Sequence, residues 1–239
     1  MKQYVAPDVK RDIFEKVTPE GLRGRIAQQI RDAILNGKLH EGERLVERKL
    51  AADLGTSLTA VREAMIELEA QGFLTKTPNS ATHVTKLAWA DVEKIFAVRR
   101  VLEGFAVEQA CQQVAAAEVD VLEGIYFEML DCARAGDSTG FNRADMGFHL
   151  ALWQAAGNTF LEMALRRALL PYFAFGAIRL RAHQSMDLLR DANLHLPIVE
   201  ALRAGDAEAG RRAFEAGVQE WYSGSHPELK AGNTATTTM

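Results

Sequence analysis

The sequence predicts a mainly α-helical protein in two units: a winged helix-turn-helix over 20–88, then an all-helical bundle of about seven helices over 89–223. Three observations carry that reading. Within 20–88, helical apolar patterns are followed by two short β-like stretches with turn residues between them. From Asp91 onward the β-like signal vanishes and only helical spacing remains. The length of 239 residues, with 48% hydrophobic and 25% charged residues, suits two ordinary globular domains.

Residues 1–19 mix charge with Pro7 and Pro19, show no period, and read as an arm. Leu22, Ile26, Ile30, Ala33 and Ile34 recur at helical spacing, so 20–36 is an amphipathic helix stopped at Asn36-Gly37. HEGERL turns the chain, and a short helix over 46–54 ends at Gly55. The next helix starts at Ser57, a good N-cap type, and closes at Gly72. FLTK (73–76) and THVTKL (82–87), parted by Pro78-Asn79-Ser80, read as a hairpin. Helical patterns then fill roughly 89–116, 118–135, 138–156, 159–170, 172–190, 192–204 and 206–222, with breaks at Gly136, Gly157-Asn158, Pro171 and Gly205-Asp206. The small polar stretch 224–239 reads as a disordered tail.

Residues 1–88 hold 14 Lys/Arg against 12 Asp/Glu, a net +2, and residues 89–239 hold 14 against 20, a net −6. A slightly basic head on an acidic body suits a nucleic-acid reader joined to a unit that does not touch nucleic acid. Cys111 and Cys132 lie in apolar helical patterns and read as core filler in a reduced, cytoplasmic setting. No run reaches the roughly 18 apolar residues of a membrane helix, and MKQYVAPDVKRDIFEK has no secretory h-region.

In LVERKLAADLGTSLTAVREAMIELEAQGFL (45–74), Leu50, Ala51 and Leu54 form one inner face, and Gly55 allows the tight inter-helix turn. Val61, Ala64, Met65 and Leu68 fall at i, i+3, i+4, i+7 and point inward, which leaves Thr59, Arg62 and Glu63 outward. An outward N-terminal face on the second helix of such a pair is what enters a major groove. The stretch 33–74, from AILNGKLHEGERL to LEAQGFL, closely resembles the GntR family of regulators, whose Ile-Leu-x-Gly opening, Val-Arg-Glu-Ala and Leu-Glu-x-x-Gly elements it repeats. The resemblance implies a DNA-binding transcription factor and places Arg48, Ser57, Thr59 and Arg62 at the DNA face, with Asn79 a contact from the wing. Arg62 is the residue for a base edge, because an Arg fork matches guanine; Arg48 and Thr59 suit phosphate and sugar. Two positions depart from the family: Leu58 where an Arg is usual, and Ala81 where the wing usually has Gly.

VRRVLEGFAVEQAC (98–111), FNRADMGFHLALWQAAGN (141–158) and LHLPIVEALRAGDAEAGRRAFEAGV (194–218) resemble the FadR-type subgroup with its all-helical FCD effector domain. That resemblance implies a divalent metal held by Asp145 and His149, one turn apart on one helix face, and by His195 from a later helix. Such ligands suit zinc, nickel or manganese. The subgroup's last histidine falls at Gly217, which has no side chain, so at most three protein ligands remain. Arg99 is implied as the effector contact: its fork suits a carboxylate, and its plain alternative is an i, i+4 pair with Glu103, worth only a few tenths of a kcal/mol.

Double-stranded DNA with a palindromic operator, a small carboxylate and a second copy of the chain are the expected partners, and repression relieved by ligand is the pattern the resemblance implies. A metal-dependent enzyme, or a binding module that keeps the fold without reading DNA, are the alternatives. No HExxH, G-x-S-x-G or phosphate-binding glycine loop supports the enzyme.

Overall fold

The computed structural model describes residues 21–76, 81–182 and 187–225. The arm expected over 1–19, the wing-tip residues Asn79 and Ser80, and the tail beyond Ser225 lie outside them. The head is α1 (Leu22–Leu35), β1 (Arg44–Leu45), α2 (Glu47–Asp53), α3 (Leu58–Ala70), β2 (Leu74–Lys76) and β3 (Thr82–Val84). Its three strands form an antiparallel sheet in the order β1-β3-β2, with His83 opposite both Arg44 and Thr75. The sequence reading missed β1, because two residues inside a turn are too few to show a period. Leu45 is buried, and β1 is held by its pairing with β3.

The head closes over Ile26, Ile30, Ile34, Val61, Ala64, Met65, Leu68 and Phe73. The four apolar residues expected to face inward on α3 are all buried. At Gly55 the backbone takes φ +59, the left-handed region that favours glycine, and this makes the tight α2–α3 turn possible.

The body is α4 (Trp89–Gln113), α5 (Ala116–Ala135), α6 (Ser138–Ala155), α7 (Thr159–Ala182), α8 (Leu188–Asn193), α9 (Leu196–Ala204) and α10 (Ala207–Ser225). Seven helices were expected and seven are described, but the divisions differ. The break expected at Pro171 is absent: α7 runs through it. A proline inside a helix loses one backbone hydrogen bond, and here buried Leu169, Leu170, Tyr172 and Phe173 hold the helix on both sides of it. The single helix expected over 192–204 is instead two. They part at Leu194-His195, where Pro197, lacking an N–H, sits in the first turn of α9. The boundary expected at 223 falls inside α10.

Two of the body helices also pack on the head. Leu170 of α7 belongs to the head's core, and Met146 and Leu150 of α6 lie against both cores. Arg167 donates from Nη1 to the carbonyl of Ala70 at 2.8 Å. Head and body are therefore joined by side chains of α6 and α7. Among the described residues, no helix is long and apolar enough to cross a membrane.

Candidate functional sites: an exposed reading face and a buried polar cavity

The candidate DNA-reading face is built on α2 and α3. Ser57 caps α3: its Oγ accepts from the Ala60 N–H at 3.2 Å, so this hydroxyl serves the helix start. Thr59, Arg62 and Arg48 are exposed, as their spacing required. Arg62 is not a free side chain. Its Nε and Nη2 both donate to Glu47 Oε2, at 3.0 and 2.7 Å. That hydrogen bond is the main cause holding the Glu47 carboxyl below its usual range. Leu58, at the first position of α3, is half-buried.

The second site is a cavity of about 60 Å³ in the body, reached by α4, α6, α7, α8, α9 and α10. Asp145 and His149 enter from one face of α6, and His195 enters from the start of α9. Their ligand-type atoms all lie within 4.8 Å of one another. His195 Nε2 is 3.1 Å and His149 Nε2 is 3.8 Å from Asp145 Oδ1. Donors bound at about 2.0–2.2 Å to one tetrahedral or octahedral ion are roughly 3–3.6 Å apart, so the spacing fits a cation with modest closure.

The ring tautomers fit as well. His195 Nδ1 is 3.2 Å from the carbonyls of Asp191 and Ala192, which only accept, so Nδ1 carries a proton. His195 Nε2 and an Asp145 carboxylate oxygen then face each other at 3.1 Å. Two lone pairs at that distance repel, so a proton or a metal ion belongs between them. Burial pushes Asp145 up, but the hydrogen bond from His195 and the charges of His149, His195 and Arg99 outweigh it and hold the carboxyl below its ordinary value.

Glu103 entered the sequence reading only as an i, i+4 partner of Arg99, and the structure gives it a larger place. The Arg99–Glu103 pair is buried: Glu103 is 0% and Arg99 7% exposed. Glu103 accepts from Arg99 Nε at 2.6 Å and from Trp153 Nε1 at 2.8 Å, and His149 Nδ1 abuts its Oε1 at 2.5 Å. Burial would raise its pKa, but His149 and Arg99 together pull it down to about 2. A signal was present. Arg99 and Glu103 fall in the same helical stripe as Val92, Phe96, Ala106, Val107 and Ala110, all buried.

Asp191 also escaped the sequence reading. It lines the cavity, and its Oδ1 accepts from Arg190 Nη2 at 2.8 Å, while its buried Oδ2 has no hydrogen-bond partner among the described residues. Burial pushes this carboxyl up. Gly217 does line the cavity. A Cβ there would rest 3.5 Å from Leu194, in ordinary contact.

Comparison with known proteins agrees with both halves. Residues 22–84 match the model of the bacterial regulatory proteins of the gntR family, and residues 94–219 match the FCD domain. The chain is 35% identical to a probable D-xylose utilization operon transcriptional repressor of Paenarthrobacter nicotinovorans, over 80% of this chain and 85% of that protein. It is 24% identical to the gluconate operon transcriptional repressor of Bacillus subtilis, over 76% of each. Among solved structures it resembles E. coli McbR/YncC with a TM-score of 0.74 at 22% identity, over 85% of this chain and 96% of that one.

Proposed function

Because the chain belongs to the gntR family of bacterial regulatory proteins and carries an FCD domain, we propose that it represses transcription from a palindromic operator and releases it when a small carboxylate enters the body cavity. The chain is a transcriptional regulator and not an enzyme. The observation that carries the finer reading is that α6 and α7 each serve both sites. On α6, Asp145 and His149 line the cavity while Met146 and Leu150 pack toward the head's core. On α7, Tyr172 and Phe173 line the cavity, and the preceding Leu170 lies in the head's core. A ligand that favours one setting of these helices changes the setting of the head.

At the DNA, Arg62 reads a base edge while Arg48 and Thr59 hold the backbone. A second copy of the chain supplies the other half-site. In the cavity, Asp145, His149 and His195 are the residues that would hold a divalent cation, and that ion would supply a concentrated positive charge for an oxyanion. Gly217 leaves room beside them for the effector. Arg99 presents the guanidinium.

Selection from a random duplex pool tests the proposal, with affinity followed against salt and Arg62→Ala run alongside. A palindrome, steep weakening with salt, and loss of discrimination at one base position in Arg62→Ala are expected. No enriched sequence, and no effect of Arg62→Ala, would sink it.

A further inference from the structure

Arginine has donors and no acceptor. Arg99 Nη2 lies 2.9 Å from His149 Nε2, so Nε2 accepts and the ring proton sits on Nδ1, facing Glu103 Oε1. A nitrogen lone pair serves one partner at a time. The lone pair that a cation held by Asp145, His149 and His195 needs is therefore already engaged by Arg99.

We propose that Arg99 gates this site: it lets go of His149 when the ring takes a cation, and its freed N–H groups then receive the carboxylate of the effector. The inference rests on the reading of the cavity given above and adds an order to it. Three features carry it. The first is the shared lone pair. The second is charge: Asp145 and Asp191 line the cavity with Arg99, and behind them Glu103 pairs with Arg99 and Arg190 with Asp191. A carboxylate alone would enter beside carboxylates already in place, whereas a divalent cation adds two positive charges to the same site. The third is the mounting of Arg99. Its Nε stays on Glu103 Oε2 at 2.6 Å, and the rings of Phe96, Tyr172, Phe173 and Phe214 surround its Cζ at 5.5 to 6.0 Å. The guanidinium can swing Nη2 off His149 while it remains anchored at the cavity wall.

The consequence is reciprocal linkage. Cation and carboxylate each raise the affinity for the other by the same factor, and Arg99 is the part that connects them. Arg99 thus decides specificity for an anionic effector only once the histidine no longer uses it.

Calorimetric titration of Zn²⁺ into the full chain and into Arg99→Met tests this, with and without acetate as the probe carboxylate. Arg99→Met is expected to bind Zn²⁺ about tenfold tighter or more, since a competitor and a like charge are both gone. Acetate is expected to tighten Zn²⁺ binding to the unaltered chain, and to tighten it less in Arg99→Met, where only the ion's own charge remains to attract it. Equal or weaker Zn²⁺ binding by folded Arg99→Met overturns the gate and leaves the cation reading standing. No Zn²⁺ binding by either protein overturns both, while operator selection still decides the DNA reading separately. Nitrogen-15 NMR of the arginine side chains in the unaltered chain needs no substitution. The Arg99 Nη signals are expected to move on Zn²⁺ saturation, and signals that stay put would overturn the gate.

Discussion

The ring of Pro171 in α7 lies against Gly72, at the end of α3, so closely that a Cβ on Gly72 would collide with it. The backbone of Gly72 has φ +80, so two requirements meet at one position. An L side chain is strained there, and the body leaves it no room. Gly72→Ala is expected to destabilise the protein by about 2–4 kcal/mol, from the left-handed backbone and the overpacking together. Pro171→Ala in the same chain should recover the steric part and not the backbone part. Urea unfolding of the two single variants and the double variant gives the coupling directly, and strict additivity would show that the contact carries no energy.

Glu47 holds Arg62 through two donors on one oxygen. Arg62 is exposed and Glu47 only half-buried, so the pair is worth little to stability. Its expected value is in aiming the guanidinium and in taming its charge. Glu47→Ala should bind random DNA several-fold more tightly, with a salt slope steeper by about one, and should discriminate less among operator variants. Filter-binding isotherms at several salt concentrations check both effects. An unchanged sequence preference would mean that Arg62 finds its base without Glu47.

The depressed pKa of Glu103 sets a pH window. Its carboxyl titrates near 2 in the folded chain against an ordinary 4.5. A lowered folded pKa stabilises the protein above pH 4.5 and loses that contribution as pH falls from 4.5 toward 2. The size is on the order of 3 kcal/mol. Glu103→Gln should therefore be less stable than the unaltered chain near pH 6, and the gap should narrow on acidification. Denaturant unfolding in the presence of a chelator, at steps from pH 6 to pH 2.5, measures it. A gap that stays constant with pH would assign the loss to packing instead of charge.

Gly217 lines the cavity, and its position accepts a Cβ in ordinary contact. Gly217→His would place an imidazole beside the other three candidate ligands. It is expected to raise Zn²⁺ affinity by about 100-fold or more, since changes around a site already move affinity 10–100-fold. Competition against a chromogenic chelator reads this out. If the affinity does not change, Asp145, His149 and His195 do not hold a cation on the Gly217 side of the cavity.

The outward direction of Thr59 and Arg62 was legible because helical spacing converts directly into exposure: once Val61, Ala64, Met65 and Leu68 point inward, these two have no other direction. Asp145 and His149 were legible for the same reason, being one turn apart on α6. His195 was not placed by spacing at all. It entered by resemblance, and it reaches the cavity only because the chain breaks at Leu194-His195, a break the apolar pattern does not display. Pro171 misled in the opposite sense, since the contacts that hold α7 together around it come from distant parts of the chain.

By itself the sequence determined the two units, the helix-turn-helix and its outward Arg62, because these follow from local periodicity and from a long motif within one segment. Tertiary structure alone decided the state of the charges. Arg99 and Glu103, four residues apart, form a surface pair on an isolated helix. In the folded chain they are buried beneath α6, α7 and α10, with Trp153 and His149 supplied from 50 residues away. Whether a carboxylate or a guanidinium is solvated, paired or poised depends on which segments close over it, and that is a long-range property no local pattern encodes.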